Sequence, residues 1–375
     1  MKHLAPKGDF TEGPHLRQVG KTWVKLNGQR LLYFAGCDYF RFASHPAILA
    51  VIRRALRPGG LNVAASRLTT GNHPLYQEAE ARVTEFFGAR SALLVATGYA
   101  TNLVVAQALA DEVTHAFADE RIHVCLGDAA RFLNCPLTRF AHRDANALRR
   151  RLQRLPAHAC PLVLTDGMFS RNGAVAPLRD YLAALPERGW LLVDDAHAAG
   201  TLGAQGRGTP ELCGVQDARL IQTLTFSKAF GVYGGAVLGP ASLRARLAAG
   251  SHVFAGSTPP PLPLVAGVMA ALEVMRQEGE GRRRRMQANA SLLRTRLREA
   301  GRAVEDHPGP IFPLQPVSEP ASELLRERLR EAGIYPSLIR YPGGPAQGYF
   351  RFVLSSEHSR GQVTRLAAVI AAGCD

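Results

Sequence analysis

Short, mostly apolar runs that end in polar or glycine-rich turns recur through the middle of the chain, at residues 92–95, 161–165, 190–193 and 220–224, with 236–239 closing the series. Runs of this length without alternation are the mark of strands buried on both faces, and the longer stretches between them carry helical patterning. The alternation predicts an α/β fold with a mostly parallel, doubly wound sheet and helices on both faces. Ahead of it, residues 22–26 and 30–34 flank Asn27-Gly28 and predict a small hairpin. A helix is predicted to start after His45-Pro46. Behind the sheet, a proline-rich turn at 259–263 leads into a long helical region over 264–300. Strands at 311–314 and 350–354 then alternate with helices around 324–330 and 363–371. The expected organisation is an N-terminal arm and hairpin (1–45), a large domain (46–275) and a smaller C-terminal α+β domain (276–375).

Composition narrows the class. The chain has 375 residues, with an apolar fraction of 46% and a charged fraction of 20%, the balance of a soluble globular protein. No apolar run reaches the length of a membrane span, and Met1-Lys2-His3-Leu4-Ala5-Pro6 lacks the apolar centre of a signal peptide, so a cytoplasmic protein is expected. Cys37, Cys125, Cys135, Cys160, Cys213 and Cys374 are scattered without a CxxC pair, which predicts free thiols rather than disulfides or a zinc site. The net charge of +14 raises the question of nucleic acid. Its densest run, residues 282–285, lies in a helical stretch without interleaved aromatics, and the expectation is a solvated helix face with no nucleic-acid role. Attraction for an acidic small-molecule or protein partner is the weaker functional reading of the charge.

Lysine usage points to chemistry. Lys2, Lys7, Lys21 and Lys25 lie near the start, and beyond them Lys228 stands alone while arginine supplies positive charge elsewhere. Arginine replaces lysine as a surface charge but not as an amine that loses its proton and attacks a carbonyl. Lys228 sits among apolar and small hydroxylated residues after a predicted strand, a setting that suits a Schiff-base lysine. In open α/β sheets ligands collect beyond the carboxyl ends of the strands. The other strand ends offer Thr97-Gly98-Tyr99, where glycine opens a helix and its backbone N–H groups suit a phosphate. They also offer His123 at a helix start, and Asp194-Asp195-Ala196-His197. Acids at the end of an apolar strand are costly without a partner, and a protonated ring nitrogen would be one. A metal is the competing partner, for which the sequence spacing offers no third ligand. A lysine, an acid and a phosphate cup are together the parts of a pyridoxal 5'-phosphate site.

The motifs run in a family order. They are Asp38-Tyr39 with Ser44-His45-Pro46, Ser66-Arg67 with Gly71, and Thr97 to Asn102. Then follow Phe140 to Asp144, Asp166 to Ser170, Asp194 to His197, Gly206-Arg207-Gly208, Thr225 to Gly231, and Arg351 with Ser355 and His358. In this the chain resembles the α-oxoamine synthases among fold-type I pyridoxal phosphate enzymes, most closely the 8-amino-7-oxononanoate synthase branch, over nearly its whole length. The resemblance implies a homodimeric transferase that condenses a small amino acid, L-alanine favoured, with an acyl-CoA or acyl-carrier-protein thioester. The implied roles are Lys228 as Schiff base and proton carrier, Asp194 on the ring nitrogen, His123 stacked on the ring, and His197 and Ser170 on its hydroxyl side. Gly98, Tyr99 and Thr225 would hold the phosphate, Ser257 would reach a neighbouring subunit's phosphate, and Arg351 would bind the substrate carboxylate. Cys37 stands where the family usually has asparagine, Tyr349 where many members have a second arginine, and Ala255-Gly256-Ser257 lacks one threonine hydroxyl. Two alternatives remain open at this point: a fold-type I aminotransferase, and a non-catalytic basic binding protein.

Overall fold

The computed structural model describes residues 13–57, 60–340 and 347–372; the first residues, read above for a targeting segment, and Cys374 lie outside them. In chain order, β1 (Arg17–Gly20), β2 (Trp23–Leu26) and β3 (Gln29–Leu32) precede α1 (Pro46–Ala55) and α2 (Pro74–Phe87). The alternating series is β4 (Ser91–Val95), α3 (Gly98–Leu109), β5 (His115–Asp119), α4 (Val124–Ala130), β6 (Leu137–Phe140), α5 (Ala145–Leu152), β7 (Pro161–Asp166), α6 (Leu178–Ala184) and β8 (Trp190–Asp194). It continues through α7 (Thr209–Cys213), β9 (Leu220–Thr225), β10 (Gly235–Gly239), α8 (Ala241–Gly250), α9 (His252–Gly256) and the long α10 (Leu262–Glu299). The remainder is β11 (Ile311–Leu314), α11 (Glu319–Glu331), β12 (Leu338–Ile339), β13 (Tyr349–Val353) and α12 (Arg360–Ala372). The chain divides into two compact units, Phe40–Ser170 with Ala174–Arg283, and Met1–Tyr39 with Arg171–Gly173 and Arg284–Asp375.

The larger unit is built on a seven-stranded sheet of order β4-β10-β9-β8-β7-β5-β6. Successive residues of a strand enter different cores. Leu162 and Leu164 of β7 pack with Val104, Leu109 and Leu126, while Val163 between them packs with Phe140, Leu178 and Tyr181. Helices therefore cover both faces, which is why these strands read as continuous apolar runs. The sheet is mixed rather than parallel throughout, because β10 runs antiparallel to both β9 and β4. Residues 226–234 are all that joins β9 to β10, and a parallel return needs a crossover of about a dozen residues or more. Two strands of this sheet, β5 and β6, went unpredicted, as did β1 and β12 of the smaller unit. The sequences of β5 and β6, HAFAD and LTRF, are alanine-rich or charged, and β6 at the sheet's edge is largely exposed.

An ion cluster ties the segment before α2 to the edge strand. The Arg67 guanidinium donates to both oxygens of Glu80, and Arg244 donates to Glu80 Oε2 at 2.7 Å. Glu80 Oε1 also accepts the backbone N–H of Leu94 on β4 at 2.9 Å. Arg67 lies over the Tyr76 ring at 5.0 Å and donates to Asn72. The arginine run corrects the expectation of a solvated face. Arg282 donates to Phe40 O (3.0 Å) and Glu278 (2.6 Å), and Arg283 is buried and donates to Ala204 O (2.7 Å); Arg284 and Arg285 alone of the four are exposed.

The smaller unit holds two three-stranded sheets, β1-β2-β3 and β11-β13-β12. The β2–β3 hairpin pairs Leu26 with Gln29 across Asn27 (φ 48°) and Gly28 (φ 84°), the positive-φ pair that a two-residue turn between right-twisted strands requires. Its core joins Leu32, Phe34, Leu293, Phe312, Phe350 and Val363. His358 fastens it: Nδ1 accepts the Ser355 N–H (2.9 Å), Nε2 donates to Tyr33 O (3.0 Å), and the ring stacks on Phe34 at 4.2 Å. Among the described residues no helix is long and apolar enough to cross a membrane.

Removing one partner of a buried ion pair leaves the other charged and uncompensated. Glu80→Ala is expected to destabilise the large unit by ~3–5 kcal/mol. Glu78→Ala, which breaks only the exposed pair with Arg82, should cost about 0.5 kcal/mol or less. Denaturant unfolding of the two variants checks the contrast, and equal losses would contradict the structural role given to Glu80.

Candidate active site

At the carboxyl ends of β7, β8 and β9 a cavity of about 190 Å³ opens. Gly98, Tyr99, His123, Asp194, His197, Thr225 and Lys228 all line it. A larger cavity of about 720 Å³, bordered by Arg90, Arg207 and Asp217, holds none of the residues given a cofactor or substrate role from the sequence.

Lys228 is presented by a tight turn. Phe226 N donates to Gly234 O (2.9 Å), Val232 N to Phe226 O (2.9 Å) and Gly231 N to Lys228 O (3.0 Å). Phe226 and Phe230, two residues to either side, are fully buried and meet edge to face at 5.6 Å, and Phe230 also contacts Phe86 and Phe87. With both flanks drawn into the core, the lysine between them is left at the cavity. Gly231 has φ 65°, and a Cβ there would stand 2.1 Å from Ala43 N, so no other residue closes this turn without displacement.

The two aspartates of the β8 end part company. Asp194 lines the cavity. Its Oδ2 accepts from Asn102 Nδ2 (2.7 Å) and the Cys125 thiol (3.1 Å), and its Oδ1 from Ala196 N (3.0 Å). Asp195 is fully buried away from it. It accepts from Thr209 N (2.9 Å), Thr209 Oγ1 (2.6 Å) and Gln222 Nε2 (2.7 Å). Glycines box it in, since a Cβ on Gly167 or Gly208 would fall within 1.9 or 1.8 Å of its oxygens. Burial pushes the Asp195 carboxyl up to about 6 against those three donors.

Asp166 also faces the cavity, and its Oδ2 accepts the backbone N–H of His123 at 3.0 Å. Burial, and then the neighbouring Asp194, push its carboxyl well above the usual range. His123 caps α4, with Nδ1 accepting from Cys125 N at 3.3 Å. Desolvation lowers its pKa, Lys228 adds to this and Asp194 opposes it, so the imidazole is neutral and presents an open face to the cavity.

The helix α3 starts at the cavity. The Thr97 side chain caps it by accepting from Ala100 N at 3.1 Å, leaving the first N–H groups of Gly98 and Tyr99 without partners inside the helix. A Cβ on Gly98 would lie 2.5 Å from Thr225 Cβ, so the glycine lets the helix start approach the end of β9. The Thr225 hydroxyl is 2.8 Å from Ser227 Oγ. The Tyr99 hydroxyl donates to Asp128, and burial together with that carboxylate pushes it up to about 12.

Ser170 and Ser257 do not line the cavity; the Ser257 hydroxyl donates to Val253 O. Arg351 and Cys37 belong to the smaller unit, where both terminal guanidinium nitrogens of Arg351 lie 3.7–3.8 Å from the Cys37 sulfur. Sequence reasoning gave no role to Asn102, Cys125 or Asp166. The available signal was an amide on a helix whose neighbours are apolar and buried. The third metal ligand that the spacing lacked does exist in space: His123 Nδ1, Cys125 Sγ and an Asp194 oxygen lie within 4.8 Å of one another. Burial and then Asp194 push the Cys125 thiol far up, so it stays protonated and serves as a donor to Asp194, whereas a metal needs the thiolate.

Comparison with known proteins agrees with this geometry. Residues 35–370 match the aminotransferase class I and II family. The 8-amino-7-oxononanoate synthase of Trichlorobacter lovleyi is 36% identical over 361 residues, 95% of this chain and 92% of the relative. Among solved structures, the Sphingomonas wittichii serine palmitoyltransferase superposes with a TM-score of 0.87 at 27% identity, over 94% of this chain and 89% of that one. A serine palmitoyltransferase from S. paucimobilis, solved with a PLP–myriocin aldimine, superposes with a TM-score of 0.89 at 25% identity, over 96% and 92%. A lysine turn, a cavity-facing aspartate and a helix start are thus set in a frame shared along almost the whole length. The chain belongs to the aminotransferase class I and II family, in its α-oxoamine synthase branch.

Proposed function

We propose that this chain is a pyridoxal phosphate-dependent C-acyltransferase that condenses a small amino acid with an acyl thioester, as an 8-amino-7-oxononanoate synthase does. The observation that carries the reading is that Lys228, Asp194 and the start of α3 all open on one cavity. The donor set fits the cofactor. An amine, a buried carboxylate held by three donors, a neutral imidazole and free helix N–H groups match in turn an aldehyde, a protonated ring nitrogen, an aromatic face and a phosphate. Bound there, pyridoxal phosphate supplies an aldehyde for exchange with the substrate amine and an electron sink for the charge left at its α-carbon.

Lys228 would hold the cofactor's aldehyde carbon, and its Nζ would move the substrate's α-proton. Asp194 would hold the ring nitrogen's proton, His123 would cover the ring, and His197 would serve its hydroxyl side; Ser170, expected there from the sequence, does not line the cavity. Gly98, Tyr99 and Thr225 hold the phosphate, with Ser257 reaching that of a partner chain in a homodimer. Arg351 binds the amino-acid carboxylate, for which its planar fork is suited. The net reaction joins the amino acid's α-carbon to the acyl carbon, breaks the carbon–sulfur bond, and releases carbon dioxide and the thiol. L-alanine is the favoured amino acid, since a thiol at Cys37 is smaller than an asparagine amide and leaves room for a methyl group. Aminotransfer, which the family's description names, is the second reading. A panel of amino acids against acyl thioesters of graded length, read by thiol and carbon dioxide release, separates the two; amine transfer to an oxo acid with no carbon dioxide released would establish the second.

Lys228→Ala is expected to abolish condensation while leaving the fold intact. Borohydride reduction and peptide mapping should place the pyridoxyl group on Lys228; a label on Lys25 instead would sink the assignment. Asp194→Asn should slow turnover by orders of magnitude. Asp195→Asn, which disturbs a packed carboxylate remote from the cavity, should act mainly on thermal stability, and a reversed pattern would overturn the division of roles. Arg351→Ala should raise the amino-acid KM steeply. Cys37→Asn, which adds one neutral donor, should lower it by ~10-fold or less. Steady-state kinetics with alanine and glycine tests this, and an unchanged KM in Arg351→Ala would refute the anchor.

A further inference from the structure

Asp194 is not held by its own strand. Of the three donors it receives, two converge on one oxygen, and both come from other elements: Asn102 Nδ2 from α3 at 2.7 Å and the Cys125 thiol from α4 at 3.1 Å. Asn102 is completely buried and has no freedom to turn. Its Oδ1 accepts from Thr223 Oγ1 on β9 at 2.7 Å, and its amide nitrogen lies 3.2 Å from Cys125 Sγ. The Asp194 carboxylate fixes which end of the amide carries the hydrogens, and the Thr223 hydroxyl donates to the oxygen at the other end. A completely buried amide and threonine, committed to each other and to a cavity-facing acid, are an expensive arrangement to maintain for packing alone.

We propose that Asn102 is a positioning residue for Asp194: anchored by Thr223, it commits one carboxylate oxygen and so keeps Asp194 charged and immobile for the cofactor's ring nitrogen. This rests on the cofactor reading above. A donor to a carboxylate favours its charged form, so loss of Asn102 makes Asp194 a stronger base and leaves it free to rotate. The ring nitrogen's proton then passes more readily to the acid. A ring without that charge would no longer repel the proton shared by Lys228 and the bound cofactor, and the cofactor's visible absorbance would change at higher pH. The other titratable groups around Asp194 are Asp166 on β7, Asp195 behind it, His123 and Cys125 at the start of α4, and Lys228 after β9. None of them is altered by the substitutions that follow.

The test uses the full-length chain, with Asn102→Ala, Thr223→Val and the double variant. The pyridoxal phosphate dissociation constant and the pH midpoint of the bound cofactor's visible absorbance are measured, with far-ultraviolet circular dichroism as the check on folding. Asn102→Ala is expected to weaken cofactor binding by about 10-fold, the effect of one hydrogen bond to a charged group, and to move the midpoint to higher pH. Thr223→Val, which preserves shape, should move both in the same direction by less. Its effect should vanish in the Asn102→Ala background, because Thr223 acts through Asn102. Should Asn102→Ala not fold, Thr223→Val alone decides. Folded variants with the wild-type dissociation constant and midpoint would overturn the inference while leaving the cofactor reading standing. A wild-type chain that takes up no pyridoxal phosphate would overturn both.

Discussion

Two carboxylates stand side by side in the sheet. Asp166 ends β7, Asp194 ends β8, and the strand register pairs them directly. Both are almost completely buried. Like charges so placed cannot both be kept without a cation or several donors between them, and much of the surrounding structure answers that constraint. The solution is unequal. Asp166 receives one backbone N–H, and burial with its neighbour's charge drives it toward the protonated form. Asp194 receives three donors drawn from α3, α4 and its own turn. The donors therefore converge on Asp194, while Asp166 is left with a single one.

The same economy of charge governs the arginines. Arg67 and Arg244 share Glu80, Arg282 spans Glu278 and Phe40 O, and Arg283 reaches Ala204 O. At Arg67 and Arg282 a planar fork with several fixed donors satisfies more than one acceptor, which an ammonium on a flexible stem does poorly. The high isoelectric point thus reflects in part internal scaffolding, with Arg284, Arg285 and other exposed arginines making up the solvated remainder. Beyond Lys25 the chain keeps a single lysine, Lys228, and it lines the cavity.

What could be read along the chain was local. The strands β4, β7, β8 and β9 are apolar runs, the hairpin turn is Asn27-Gly28, and Gly98, His123, Asp194, Thr225 and Lys228 sit at or just past strand ends, where an α/β sheet gathers ligands. What could not be read was relational. Asn102, Cys125 and Thr223 acquire meaning only because α3, α4 and β9 bring them around one carboxylate. The separation of Asp194 from Asp195 follows from the alternation of side chains along a strand, but which of them meets the cavity depends on the glycines at 167 and 208. The strand β10 was legible at 236–239, but its antiparallel direction was hidden for the opposite reason. Its sequence is ordinary, and its direction is set by the brevity of the link before it.

That short link also explains why the lysine is where it is. A parallel continuation after β9 would have demanded a helix, whose first turn would have carried Lys228 away along its axis. Reversal into β10 instead confines residues 226–234 to one turn closed by backbone bonds, with Phe226 and Phe230 pulled into the core beside Phe86 and Phe87. The amine is consequently tethered at both ends by buried aromatics and by Gly231, whose left-handed backbone admits no side chain. A turn over-determined in this way fixes the backbone of Lys228 beside the cavity, so that little conformational freedom is left to lose when a group binds there.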